Sequence, residues 1–440
     1  MPNQGQASQY NVTPTFKPLR IALVGYRSAP HVGGQGIYIR HLATALKALG
    51  HHVSVISGPP YPALPSHIPL IALPSLNLYE HHNPLIALRP KHFKHLSDLY
   101  EWWGKMTGHF AEPYSFGRRL AQYLKVHRQD YDIIHDNQTL CYSLLKLPLP
   151  VVATVHHPIT RDRDHAIETA KNRWHRWGTR RWYSFLKMQQ KVTKQLPSVV
   201  TVSSSSQQDI EACFGRPSQQ TQVIFNGIDT AFFSPQQYRV KREQELLATC
   251  SSDQPVKGFS VLLDAYAQLL KSKPTLLLKV IGKLNPKGAN AQKLKALGLE
   301  NKVQFVSGLS DKDMVIAYNK ATVFVCPSLY EGFGLPIAEA MSCATAVVTS
   351  DGGALAEVAG DAALVVPAGN PKALALAIAQ ALDDETLRHT LEQKGRARAV
   401  EMFCWHSVAK QYAALYHQTI AAQTAASTQS STPPTHTEQH

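Results

Sequence analysis

The stretch that decides the fold is Glu331–Met341, which reads EGFGLPIAEAM. It follows a short apolar run, Val323–Cys326, that is typical of a strand buried in a parallel sheet. Gly332 and Gly334 let backbone amides come close to a ligand, and Pro336 suits the first turn of a helix. Because a helix N-terminus preceded by glycines binds anions, the stretch predicts a strand, a loop and a helix that hold a diphosphate or sugar hydroxyls.

The same alternation of strands and helices runs along most of the chain. Leu19–Gly25 and Val53–Ser57 predict buried strands on either side of an amphipathic helix, Ile37–Leu49, which makes one βαβ unit. A second series begins near Gln222 and includes the strand before Glu331. Two successive series predict an α/β fold of two doubly wound, Rossmann-like domains that face a central cleft, with ligands at the carboxyl ends of the strands.

Composition and charge narrow the class of protein. The 440 residues include 44% hydrophobic and 17% charged residues, as in globular domains. No run reaches the roughly 18 apolar residues of a membrane-spanning helix, and the polar start lacks a signal peptide, so a cytoplasmic protein is expected. The six cysteines lack the spacing of a disulfide framework or a zinc site. The formal charge of +14 indicates an anionic partner, whether nucleic acid, membrane or phosphorylated substrate.

Much of the positive charge lies in Arg161–Lys194, where ten Lys and Arg against three Asp and Glu give +7. The segment also contains Trp174, Trp177 and Trp182. This combination suits an anionic bilayer surface or a lipid-phosphate acceptor. It also suits a solvated helix whose tryptophans pack inside. The sequence leaves both interpretations open, and the expected location is the cytoplasm with or without contact to the inner face of the membrane.

Two carboxylates of the opening stretch, Glu331 and Glu339, stand eight positions apart. This Glu-x7-Glu string resembles the signature of the retaining glycosyltransferases of family 4. Further segments resemble the family in the same order, namely Pro30–Gly36, Asn226–Asp229, Lys257-Gly258, Val303–Gly308, Pro327-Ser328 and Gly352–Glu357. The resemblance covers roughly residues 19–415 and is specific for the family rather than for a substrate.

The resemblance implies a GT-B fold with defined domains. Residues 18–215 would form the N-terminal, acceptor-side domain, and residues 402–422 a helix that crosses back to it. Residues 216–401 would form the C-terminal domain that binds the nucleotide-sugar donor. Residues 1–17 and 424–440 are polar and are predicted to be disordered.

The resemblance also implies a role for each matching residue. His156, at the end of an apolar strand, and Glu331 would act at the donor sugar as catalytic residues. Glu339 would bind the ribose, and Lys257 the diphosphate. The remaining donor-binding residues are glycines, their neighbours and one further cation: Gly33, Gly34, Gly282, Lys283, Gly332, Phe333, Gly334 and Leu335.

One departure from the family concerns the diphosphate. The family has an arginine five residues before the lysine, where this chain has Ser252. Lys257 would then carry the charge alone, or Lys283 or Arg27 would replace the arginine. The triplets Asp162–Asp164 and Asp311–Asp313 have the Asp-x-Asp form of metal-dependent transferases, but neither follows a strand in the way that such a site requires, so no metal is predicted.

The predicted function is transfer of a hexose from a UDP- or GDP-sugar to a glycan, lipid or small-molecule acceptor with retention, with no cofactor. No carboxylate is an obvious nucleophile, and the family is described by a front-face mechanism in which the leaving phosphate takes the acceptor proton. Two alternatives stay open: a nucleotide-sugar epimerase or phosphorylase on the same scaffold, and a non-enzymatic binder of anionic membrane or nucleic acid. No nucleic-acid recognition module is present in the sequence, so nucleic acid is not an expected partner.

Overall fold

The computed structural model describes residues 17–30, 34–80, 83, 88–235, 244–250 and 254–430. Predictions on the first sixteen and last ten residues, and on Gly33 and Ser252, lie outside this part of the chain. Contacts between Cα atoms divide the chain into two units, Met1–Ala153 with Ala409–His440, and Thr154–Val408. The predicted domain borders stay predictions.

The first sheet has seven strands in the order β3-β2-β1-β4-β5-β6-β7. In chain order they are β1 (Arg20–Gly25), β2 (His52–Ser57), β3 (Leu70–Ala72), β4 (Ile133–Asn137), β5 (Val151–Val155), β6 (Ser198–Thr201) and β7 (Thr221–Val223). Strand β1 pairs in parallel with both β2 and β4, and every residue of β1 after Arg20 is buried. A continuous apolar run therefore marks a strand that is covered on both faces.

The second sheet has six strands in the order β10-β9-β8-β11-β12-β13. They are β8 (Glu245–Thr249), β9 (Leu277–Ile281), β10 (Val303–Val306), β11 (Val323–Cys326), β12 (Ala346–Ser350) and β13 (Leu364–Val366). The prediction of two doubly wound parallel sheets is confirmed. One detail is wrong: the strand at Gln222 does not start the second series, because β7 pairs with β6 at the edge of the first sheet.

The α-helices of the described chain follow the strands. They are α1 (Gln35–Ala48), α2 (Leu96–Met106), α3 (Glu112–His127), α4 (Thr160–Glu168), α5 (Arg173–Trp182), α6 (Leu186–Gln195), α7 (Ser204–Phe214), α8 (Phe259–Leu269), α9 (Ala289–Ala296), α10 (Asp311–Lys320), α11 (Leu335–Ser342), α12 (Leu355–Ala359), α13 (Pro371–Asp383), α14 (Glu385–Met402) and α15 (Trp405–Ser430).

Alternate residues of β11 enter two separate apolar cores. Phe324 packs with Met341 of α11 and Phe403, whereas Val323 and Val325 pack with residues of α8 and α13. Successive side chains of a strand point to opposite faces, so β11 is buried on both sides of its sheet. This burial fixes the end of β11 in place and with it the start of the loop that contains Glu331.

The last helix, α15, is longer than predicted. It continues to Ser430, so residues 424–430 are helical where the sequence predicts disorder. The hydroxyl of Thr424 donates a hydrogen bond to the carbonyl of Ile420, one turn earlier. Near the start of α15, the hydroxyl of Tyr412 forms a hydrogen bond of 2.7 Å with that of Tyr38 in the same unit.

Candidate functional site

Most of the predicted donor residues lie where the strand order of the second sheet reverses. The chain winds outward from β8 to β10 on one side and from β11 to β13 on the other, so β8 and β11 flank the switch point. The loop after β8 contains Lys257, and the loop after β11 contains Glu331. Ligands of open α/β sheets bind at this position, at the carboxyl ends of the strands.

The two loops are in direct contact through a glycine. Gly258 has a φ of +64°, and a Cβ atom at this position would lie 1.9 Å from the carbonyl oxygen of Pro327. The amide of Leu329 donates a hydrogen bond of 2.7 Å to the carbonyl of Val256. Only glycine permits this approach, which explains why Lys257 is followed by Gly258.

An ion pair joins the loops at the centre of the site. The Nζ atom of Lys257 donates to Oε1 of Glu331 at 2.8 Å, and the hydroxyl of Ser328 donates to the same oxygen at 2.8 Å. The Glu331 side chain is 16% exposed and that of Lys257 is 30% exposed. Both remain accessible to a ligand, and their positions are fixed by each other. The sequence pointed to Ser328 as part of a motif but not to its contact with Glu331.

The N-terminus of α11 lies directly after this ion pair. Gly334, with a φ of +99°, precedes the helix, and Pro336 lies in its first turn. Within the described residues, the backbone amides of Gly334 and Leu335 form no hydrogen bond. Phe333 is buried, with its ring centroid 5.7 Å from that of Phe403. The buried ring anchors the loop, and the amides after it are available to an anion.

Glu339 lies one turn into α11. Its Oε2 atom accepts a hydrogen bond of 2.8 Å from the hydroxyl of Tyr318, which is buried in α10. Burial raises the pKa of Glu339 to about 7, although the hydrogen bond from Tyr318 acts in the opposite direction. Nothing in the sequence pointed to Tyr318, because its contact with Glu339 forms only when α10 packs against α11.

His156 follows β5, as predicted, and its backbone approaches the glycine loop. A Cβ atom on Gly332 would lie 3.9 Å from the carbonyl oxygen of His156 and 3.8 Å from Cβ of His157. The hydroxyls of Ser203 and Ser206 donate hydrogen bonds of 2.7 and 3.1 Å to the carbonyl of Gly332. These serines, which the sequence analysis missed, hold the loop beside His156.

The imidazole of His156 is neutral at physiological pH. Burial, together with the neighbouring His157, lowers its pKa to about 4. A neutral imidazole can donate and accept hydrogen bonds but carries no fixed charge. Any contact of a ligand with this imidazole would therefore be polar rather than ionic.

The other glycines of the predicted site differ in position. Gly282 follows β9 with a φ of +154°, and a Cβ atom there would lie 1.8 Å from the carbonyl oxygen of Cys250. Gly34 precedes α1 with a φ of +74° and belongs to the other unit. Both conformations require glycine. Gly33 lies outside the described residues.

Arg27 and Lys283 are the two predicted replacements for the missing arginine. Arg27 is engaged elsewhere: its guanidinium pairs with Glu112 at 3.1 Å and with Glu80 at 3.4 Å. Lys283 is exposed directly after Gly282 and has no hydrogen-bond or ion-pair partner in the described part of the chain. Lys283 is thus the cation of the two that is free to meet a ligand.

The structure also bears on metals and membrane spans. Among the residues that it describes, no three His, Cys, Asp or Glu side chains form a group that could hold a metal ion. Asp313 instead accepts a hydrogen bond from Ser310 in the cap of α10. None of the described helices is both long and apolar enough to cross a membrane.

Comparisons with known proteins agree with this geometry. Residues 32–232 match the model of Glycosyltransferase Family 4, and residues 232–398 match that of Glycosyl transferases group 1. The chain is 43% identical, over 92% of its length and 99% of the relative, to an MMP alpha-(1->4)-mannosyltransferase of Mycolicibacterium hassiacum.

Two solved structures show the same architecture. Sucrose-phosphate synthase from Thermosynechococcus elongatus is 25% identical, with a TM-score of 0.66 over 91% of this chain and 99% of the other. Anabaena HepE in complex with UDP and glucose is 18% identical, with a TM-score of 0.62 over 90% of this chain and 99% of the other, and shows the fold alone.

Proposed function

The chain belongs to the family 4 glycosyltransferases, and from this membership we propose that it moves a hexose from a UDP- or GDP-sugar to an acceptor hydroxyl with retention of configuration. As a glycosyltransferase it is an enzyme, which leaves the non-enzymatic alternative without support. The name of the mannosyltransferase relative favours mannose as the sugar and an α-(1→4) linkage as the product. The proposal does not choose between UDP and GDP as the nucleotide of the donor.

The observation that carries the proposal is the ion pair of Lys257 and Glu331 at the switch point of the second sheet. The cation, the amides of Gly334 and Leu335 and the N-terminal end of the α11 dipole all favour a diphosphate there. When the diphosphate binds, its charge competes with Glu331 for Lys257. Glu331 is then free to accept hydrogen bonds from the sugar hydroxyls.

The remaining residues would complete the site. Glu339 would accept hydrogen bonds from the two ribose hydroxyls, for which its ionised form is required. Lys283 would supply a second positive charge to the diphosphate. The donor-binding roles predicted for Gly33 and Gly34 stay predictions. His156 would hydrogen-bond the donor sugar through its neutral imidazole.

The proposed reaction needs no protein nucleophile. A lone pair of the acceptor oxygen forms a bond to the anomeric carbon, while the bond from that carbon to the phosphate oxygen breaks and leaves its electron pair on the phosphate. The departing phosphate takes the proton of the acceptor. The protein contributes by positioning both substrates and by stabilising the negative charge that develops on the phosphate.

The partner and location remain part of the proposal. We propose a cytoplasmic enzyme with a glycan, lipid-linked or small-molecule acceptor. Helix α5 supports a contact with an anionic membrane, because none of its residues is buried and its Trp174 and Trp177 side chains are 83% and 59% exposed. The other interpretation, a solvated helix whose tryptophans pack inside, does not fit the exposure of Trp174 and Trp177.

A nucleotide panel followed by a transfer assay tests the proposed function. UDP, GDP or one of their sugars should raise the melting temperature of the full chain, and the matching sugar nucleotide should transfer its hexose to an oligomannoside. The anomeric proton of the product, read by NMR, reports retention. If no UDP, GDP or ADP species changes the melting temperature, the donor site is assigned wrongly.

The His156→Asn variant separates binding from chemistry. Turnover should fall about a hundredfold, as for loss of one polar group at a reacting centre. The affinity for the nucleotide should be kept, because His156 would contact the sugar rather than the base or ribose. Normal turnover would remove His156 from the mechanism.

A further inference from the structure

A cavity lies among α4, α5, α6 and α7, in the unit formed by Thr154–Val408. Its volume is about 380 Å³, within the range of small-molecule pockets. Helix α7 runs from the loop that contains Gly332 to the cavity. Ser206 contacts the carbonyl of Gly332, and Cys213, seven residues later, lines the cavity. Seven helical residues span about 10 Å, so the cavity is separate from the Lys257–Glu331 pair.

The cavity carries excess positive charge. Its charged lining residues are Arg163, Arg180, Lys187 and one carboxylate, Asp164. The Nε atom of Arg163 donates to Oδ1 of Asp164 at 2.7 Å, which neutralises one cation. Arg180 and Lys187 form no hydrogen bond or ion pair with any residue that the structure describes. Two cations without counter-charges in one concave site favour an anionic ligand.

A buried hydroxyl in the lining also lacks a partner. Thr160 is 4% exposed, and its Oγ1 atom forms no hydrogen bond within the described chain. An unsatisfied buried hydroxyl costs free energy, which a ligand oxygen would recover. Leu186 and Phe214 line the cavity with apolar, buried side chains that can pack against carbon atoms.

From these contacts we propose that the cavity is a second binding site, for a ligand that carries a phosphoryl group on a sugar or lipid skeleton. A phosphoryl dianion balances the two unpaired cations, and its three free oxygens match two cations and one hydroxyl. A carboxylate has one negative charge and would leave one of the two cations without a counter-charge. The carbon skeleton of the ligand would lie on Leu186 and Phe214.

Calorimetric titration of the full chain tests the site. The probes are mannose 6-phosphate, mannose and dihexanoyl phosphatidic acid, a lipid phosphate that stays in solution. The phosphorylated probes should bind and mannose should not. Arg180→Gln and Lys187→Gln should each weaken binding about tenfold or more, the usual effect of removing a charged hydrogen bond. Thr160→Val should weaken it less.

Two matched variants distinguish binding in the cavity from a general effect of positive charge and from binding at the donor site. Arg176→Gln removes an exposed arginine of the same helix that does not line the cavity, and it should leave binding unchanged. Lys257→Met should also leave it unchanged, so the result does not depend on the proposed function. The tighter of the two phosphorylated probes identifies the skeleton as sugar or lipid.

The proposal is overturned by either of two results. One is that neither phosphorylated probe binds. The other is that binding is weakened as much by Arg176→Gln or Lys257→Met as by Arg180→Gln. Melting temperatures of the variants verify that each is folded, and Lys187→Gln provides an independent test if Thr160→Val is unstable.

Discussion

Lys257 has two roles in the proposed site, and both depend on its ammonium group. In the structure its ammonium group fixes Glu331 at 2.8 Å, and in the proposed complex the same group binds the diphosphate. Lys257→Met should therefore weaken binding of the nucleoside diphosphate about tenfold to a hundredfold and leave the weak binding of the free nucleoside unchanged. Calorimetry with both ligands measures the difference.

Two further lysines complete this test. Lys283→Met should weaken diphosphate binding as well if Lys283 replaces the missing arginine. Lys295→Met removes an exposed lysine of α9 and provides the control for net charge. Equal losses in all three variants would indicate only a general effect of charge, and an intact affinity in Lys257→Met would exclude this residue from the donor site.

The raised pKa of Glu339 predicts that nucleotide binding depends on pH. Because burial raises its pKa to about 7 in the free protein, the carboxyl is partly protonated at neutral pH and accepts ribose hydrogen bonds less well. Nucleotide affinity should rise as the pH increases through about 7. Glu339→Gln removes this rise, and any dependence that persists in the variant belongs to the phosphates of the ligand. An identical pH profile in both proteins would contradict the ribose role.

At the scale of single elements, α5 is unusual because it presents aromatic and basic side chains to solvent. Its sequence RWHRWGTRRW contains no buried residue, and the guanidinium of Arg181 lies 5.9 Å from the ring centroid of Trp177. Tryptophan and arginine together are suited to the interface of an anionic bilayer. The helix is held at its start by Asn172, whose side chain accepts a hydrogen bond from the amide of His175.

Replacement of the two exposed tryptophans tests the membrane contact. The Trp174→Ala/Trp177→Ala variant should bind vesicles of phosphatidylcholine and phosphatidylglycerol about tenfold or more weakly, because each buried aromatic ring contributes roughly 1.5–3 kcal/mol. Trp103→Ala, which removes a tryptophan of α2 that is 52% exposed, is the control. Sedimentation with vesicles measures the affinity. Equal binding by all three proteins would show that α5 does not contact the bilayer.

Elements also show where sequence patterns succeed and where they fail. The strand before Glu331 and the helix after it were predictable, because a buried apolar run and a glycine–proline boundary are local signals. The sheet to which β7 belongs was not predictable, because the pairing of β7 with β6 depends on the path of α7 between them. The contact of Tyr318 with Glu339 likewise arises between helices, and no local pattern encodes it.

At the scale of the whole molecule, the close approaches at Gly258 and Gly282 connect sequence and fold most clearly. A Cβ atom added to either glycine would lie less than 2 Å from a carbonyl oxygen of a neighbouring loop. The resemblance to a known family indicated both positions, but the reason for them is visible only in three dimensions. Ser252 lies outside the described residues, so the replacement of the family's arginine stays a prediction.

Buried titratable groups make the stability of the molecule depend on pH. Burial raises the pKa of Asp136, at the end of β4, to about 7, from an ordinary value of 3.8. Between these two values the folded state binds more protons than the unfolded state, so this carboxyl lowers the free energy of unfolding as the pH rises. Burial of His156 acts in the opposite direction, because its pKa falls from 6.5 to about 4. The wild-type profile alone therefore cannot isolate Asp136.

A comparison of the wild-type protein with the Asp136→Asn variant isolates the contribution of Asp136 to the pH dependence of stability. The variant keeps an acceptor for the amide of Leu140, which bonds Asp136 at 2.9 Å, and it has no charge to bury. The two proteins should be similarly stable below pH 3.8, and the variant should gain stability relative to wild type up to about pH 7. The gain is bounded by about 1.4 kcal/mol per unit of pKa shift. Urea unfolding across this range measures it, and a difference that does not change with pH would show that Asp136 is not protonated preferentially in the folded state.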